Sequence, residues 1–131
     1  MQTLQNKNKI FFDSLWINTQ DKDLEFIFEY LTSIFYSLTN AEPLYKLEDL
    51  KDERNLLEVT IETLTAIYCI YSNSDYDTVD YIEIMKEVKL MDYLIKLKME
   101  KFGKEILDDL NLEISEKVDN GYIILDKNIY N

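Results

Sequence analysis

Asp77, Asp80 and Glu83 recur every three residues, Glu83 and Glu87 stand four apart, and Glu58 and Glu62 repeat that interval earlier in the chain. Spacings of three and four bring side chains to one face of a helix. Two such faces opposed can hold Mg²⁺ or Mn²⁺, which take oxygen ligands, and the enzyme this would make is a metal-dependent all-α nucleotide hydrolase. In a chain with 26 acids among 131 residues the same spacings arise without selection. No catalytic residue, metal ligand or cofactor is therefore assigned from them.

Other chemistry is excluded more firmly. The chain has no histidine, which removes Ser-His-Asp and Cys-His nucleophiles, haem ligation and nearly all zinc sites built on nitrogen ligands. Its two glycines, Gly103 and Gly121, cannot supply a glycine-rich phosphate loop of either common pattern. Cys69 is the single cysteine, so no intrachain disulfide forms and an intracellular setting is favoured. It lies in an apolar run with no basic neighbour, the surroundings of a small core residue rather than of a reactive thiol. The expectation is a non-enzymatic protein.

Charge narrows the partners. The net charge is -12, and residues 21–62 carry eleven acids against Lys22, Lys46, Lys51 and Arg54, a net of -7. Affinity for nucleic acid comes from Lys and Arg displacing counterions from phosphate, so direct nucleic-acid binding is not expected. A surface this acidic suits solubility, attraction to a basic protein, or occupation of a groove that normally holds nucleic acid. The charge pattern is equally that of a soluble acidic protein with no use for its surface. Asp13 interrupts the apolar run after Lys7 and Lys9 too soon for a signal peptide, and no apolar segment approaches the ~20 residues that span a bilayer. A soluble, cytoplasmic protein without membrane contact is expected.

The best candidate for a working surface is residues 71–83, YSNSDYDTVDYIE. Asp75, Asp77, Asp80 and Glu83 are interleaved there with Tyr71, Tyr76 and Tyr81, and no cation is present. Negative potential is thereby combined with amphipathic rings of the kind enriched at protein interfaces. These seven residues are the expected partner-binding site. Like charges at helical neighbours cost only ~0.2–0.5 kcal/mol per pair, so an acidic solvated face is the competing reading.

The elements that must position them are read from periodicity. Residues 56–71, LLEVTIETLTAIYCIY, are apolar on nearly every side of a helix, which marks a core helix packed by neighbours on several sides. Phe11, Phe12, Leu15 and Trp16 predict a short amphipathic helix ending near Asn18, with Trp16 either core or partner anchor. Asp21 is the expected cap of the next helix, whose stripe Leu24, Ile27, Phe28, Leu31, Ile34, Phe35 and Leu38 runs to Thr39. Pro43 marks a connection. From Lys46 the sequence reads as helix running into the core helix, with Leu47, Leu50 and Leu57 inward. Ser74 and Asp77 read as a capping box for a further helix over residues 75–102, acidic at its start and basic at Lys96, Lys98 and Lys101. After Gly103, a helix stripe of Ile106, Leu107, Leu110, Ile114 and Val118 competes with a hairpin turning at Asn120-Gly121.

The fold expected is mainly all-α: one domain over residues 1–131, a compact bundle of four to six helices around a central buried helix, with a short C-terminal β-hairpin as an alternative ending. The function expected is binding to another protein with a basic surface, as an inhibitor or antagonist of a basic or nucleic-acid-binding protein. Small acidic proteins of that type serve phages and mobile elements against host defence, or act as immunity proteins. Two alternatives stand beside it: a self-associating structural subunit such as a phage connector, pairing the acidic and basic ends of residues 75–102 to give a homo-oligomer, and the metal-dependent hydrolase.

Overall fold

The structure is a computed structural model that describes residues 6–103, and it is mainly helical, with no strand among those residues. Five α-helices follow in order: α1 (Asn6–Thr19), α2 (Leu24–Thr39), α3 (Glu53–Ser72), α4 (Tyr81–Glu87) and α5 (Lys89–Phe102), with short 3-10 turns at Leu47–Asp49 and Tyr76–Thr78. The helix and hairpin readings for residues 104–125 lie outside the described residues. The chain divides into two units, Met1–Ile95 and Lys96–Asn131. In the second, the described residues are the end of α5 and its left-handed cap, Gly103, at φ 66°.

In the first unit α3 is the central helix. Leu57, Leu64, Ile67 and Tyr68 are wholly buried along it, and Leu56, Ile61 and Cys69 nearly so. The threonines among them hold their hydroxyls on the carbonyl one turn back: Thr60 donates to Leu56 at 2.6 Å and Thr65 to Ile61 at 2.7 Å. Such internal bonds let polar residues sit in a core without leaving a group unsatisfied. α2 lies along α3 and buries Ile27, Phe28 and Leu31. At its base Phe28, Leu50 and Leu56 pack together.

α1 meets the far end of α3 through aromatic rings. Phe11 stacks on Tyr71 at 4.3 Å between centroids, and Phe12 packs on Tyr68 at 6.0 Å. Asn8 Nδ2 donates to the Tyr71 carbonyl at 3.1 Å. Trp16 is half-buried and tilts against Tyr93 of α5 at 5.5 Å, so it is core on one side and open on the other.

Helix limits differ from the sequence expectation wherever an acidic side chain competes with the backbone ladder. Asp23, not Asp21, caps α2, accepting from Phe26 N at 2.9 Å, because residues 20–22 still close the last turn of α1 through Lys22 N and the Thr19 carbonyl. The helix expected from Lys46 is interrupted. Asp49 turns its carboxylate to Lys46 N, Leu50 leaves helical geometry at φ -108°, ψ 69° to enter the core, and Asp52 caps α3 on Arg54 N at 2.8 Å.

The single helix expected over residues 75–102 is likewise broken. Ser74 belongs to the end of α3, its N–H reaching the Cys69 carbonyl at 3.1 Å behind the left-handed Asn73. That arrangement satisfies late carbonyls of α3 and rules out the Ser74-Asp77 capping box. Asp80 is the cap instead, accepting from Ile82 N at 3.0 Å and Glu83 N at 3.4 Å to start α4. Val88, wholly buried and extended at φ -125°, ψ 103°, then separates α4 from α5. On either side of this bend Ile84 and then Leu90, Met91 and Leu94 are wholly buried.

Candidate functional site

The seven residues expected to bind a partner fall into three groups. Tyr71 is engaged elsewhere: its ring stacks on Phe11 and meets Phe12 edge-on, as part of the packing between α1 and α3. Asp80 and Glu83 are half-buried and engaged locally, Asp80 as the cap of α4 and Glu83 at 3.6 Å from Lys86 Nζ, one helical turn on. Asp75, Tyr76 and Asp77 are exposed on the turn between α3 and α4. Tyr81, half-buried at the start of α4, adjoins Tyr76.

Tyr76 is where this stretch meets a second feature, which periodicity did not reveal. A groove of about 230 Å³ opens between α2, α3 and the connection that follows α2. α2 lines it with Phe28, Thr32 and Phe35, and α3 with Val59, Glu62, Thr63 and Ala66. Residues 42–45, Glu42 through Tyr45, form a third side, and the Tyr76 ring closes the end. Leu44 is 92% exposed at its edge and Tyr76 47%. Among the described residues its lining contains two carboxylates and no cation.

The groove exists because two apolar stripes run further than the elements that cover them. On α2, burial ends at Leu31, so Phe35 is half-covered and Leu38 exposed. On α3, the line of Val59, Ala66 and Ile70 is left open, with Ile70 45% exposed. The neighbours expected on several sides of α3 are present, and this line is the side they leave open. One signal was available in the sequence: Leu44 and Tyr45 beside Pro43, apolar residues in a connection with no helical period to bury them.

Electrostatics follow the geometry. The Tyr76 phenol is pushed well above its ordinary value by burial of its polar end, then by the neighbouring Tyr81 and Glu62. Glu62 of α3 and the 76–81 turn therefore share one negative neighbourhood. Tyr68 is wholly buried and donates to Glu87 Oε2 at 2.7 Å, and burial, followed by that carboxylate, raises its phenol strongly. Burial also raises the Cys69 thiol, with Asp75 adding to it, so the thiolate is disfavoured and the cysteine is a buried core residue.

The carboxylate pairs that could have served metal chemistry are dispersed. Glu58 pairs with Arg54 at 3.4 Å, Glu62 lines the groove, Glu83 lies by Lys86, and Glu87 accepts from Tyr68. Among the described residues no three acidic or thiol side chains converge as a metal-holding group. No helix among them is long and apolar enough to cross a membrane. Comparison with family models, curated proteins and solved structures found no match.

Proposed function

We propose that this chain acts by binding another protein rather than by catalysis, and that its partner presents a basic surface. The reading extends to an inhibitor or antagonist of a basic or nucleic-acid-binding protein, of the phage or mobile-element anti-defence type or the immunity-protein type. The observation that carries it is the turn at Asp75, Tyr76 and Asp77: an exposed aromatic ring between two exposed carboxylates, on a chain of net charge -12. Potential of one sign steers an oppositely charged partner, and a tyrosine ring supplies contact area with little entropy to lose. Asp80, the cap of α4, and Glu83, beside Lys86, follow in the chain and add to the negative charge of this stretch.

The test is affinity capture from the native lysate at low and at raised salt, run with the wild-type chain and with an Asp75→Lys, Asp77→Lys double variant. The Asp75 carbonyl, not its carboxylate, accepts the bonds of this turn from Thr78 N and Oγ1, so the variant keeps the local fold. A basic or nucleic-acid-handling protein retained in stoichiometric amount by the wild type, released by salt and lost from the variant is the expected result. Equal retention by both chains at both salt concentrations removes this site. Recovery of the same chain alone favours a self-assembling subunit.

A further inference from the structure

We propose that the groove between α2 and α3 is an anchor pocket for one large apolar side chain carried by a lysine- or arginine-rich segment of the partner. This rests on the protein-binding reading above and specifies what the partner inserts.

Size sets the first limit. At about 230 Å³ the groove falls below the ~300–1,000 Å³ of sites that enclose drug-sized ligands or cofactors. It suits one aromatic or branched aliphatic side chain. The rings of Phe28, Phe35 and Tyr76, with the methyl groups of Val59 and Ala66, offer such a guest contacts on several sides. Leu44, almost wholly exposed at the edge, lies where it would gain cover from an arriving chain. An apolar anchor covered by its partner on binding and rimmed by polar groups is the arrangement in which a few residues carry most of the binding energy.

Charge decides the occupant. Glu42 on the connection and Glu62 on α3 border the groove from two sides, Asp75 and Asp77 flank Tyr76 in the chain, and among the described residues no cation lines it. Cationic residues next to the anchor meet carboxylates on either side, while an acidic segment meets repulsion. A second copy of this chain also carries -12, which disfavours it as the guest, and nucleic acid is disfavoured for the same reason.

Four synthetic peptides of equal length test this: a central phenylalanine or a central serine, each flanked by lysines or by glutamates. Affinity is measured by titration at low salt, and the contact is mapped by amide chemical shifts of the labelled protein. The lysine-flanked phenylalanine peptide is expected to shift Thr63, Ala66 and Tyr76 and to bind about tenfold or more tighter than its serine counterpart. Ala66→Leu, which fills the groove, is expected to erase that difference. Should Ala66→Leu not fold, Tyr76→Ala, on a half-exposed ring outside the α-helices, serves the same comparison.

Equal binding of the two lysine-flanked peptides, with shifts spread over the acidic surface, overturns the anchor pocket and leaves the acidic binding face standing. Failure of both lysine-flanked peptides to bind overturns both readings. Binding of the glutamate-flanked phenylalanine peptide as tight as that of the lysine-flanked one overturns the choice of a basic guest. Sedimentation that reveals self-association abolished by Ala66→Leu assigns the groove to a second copy and overturns the proposal.

Discussion

Acidic side chains in this protein act first on their own backbone. Asp23, Asp52 and Asp80 each accept from an amide in the first turn of a helix, satisfying donors that have no partner within the helix. A carboxylate in a sequence run is therefore not automatically a free charge, and Asp80 shows it within the expected binding site. At the same scale lies the bond from Tyr68 to Glu87. A tyrosine whose proton is held more tightly in the folded state contributes stability that is complete below the unfolded pKa, near 10, and is lost as pH rises beyond it. Chemical denaturation between about pH 8 and pH 11 is expected to show stability falling above about pH 10. In Tyr68→Phe that alkaline loss is smaller, although the variant is less stable at neutral pH because Glu87 loses its donor. An alkaline slope identical in both proteins would show that Tyr68 does not control it.

Helices differ in how completely they are enclosed. α3 holds Leu64 wholly buried on one side and Ile70 45% exposed on another. Leu64→Ala is expected to cost about 2–5 kcal/mol in urea denaturation, from lost transfer energy and the cavity left behind. Ile70→Ser is expected to change stability by about 0.5 kcal/mol or less. Comparable losses at the two positions would mean that the open line of α3 is covered. The same line was unreadable from hydropathy, since Val59, Ala66 and Ile70 are as apolar as their buried neighbours. What leaves them open is the placing of α2, whose burial ends at Leu31, and of the irregular connection after it.

Over the whole molecule, a charge of -12 acts in two opposite directions when salt is added. Self-repulsion weakens the folded state and is screened as the Debye length falls from about 30 Å at 0.01 M to about 8 Å at 0.15 M. The melting temperature is therefore expected to rise over that range, while affinity for a basic partner falls. A melting temperature that drops with salt would indicate that attractive pairs, such as Arg54 with Glu58, outweigh repulsion in the fold.

Sequence alone determined the mainly helical class, the ends of α1 and α2 to within a residue, and α3 as the helix at the centre, because apolar residues at helical spacing form a stripe that must be covered. It also determined which chemistry the chain lacks, since the absence of histidine and of a glycine-rich loop does not depend on folding. Only the tertiary structure decided where helices break and where charge is free. Leu50 and Val88 leave helical geometry to reach the interior, and Asp80 turns back to its own backbone, outcomes set by competition between local bonds and burial. The groove at Tyr76 belongs to that level as well, foreshadowed in the sequence only by the apolar Leu44 and Tyr45 beside Pro43, for it lies between segments far apart in the chain.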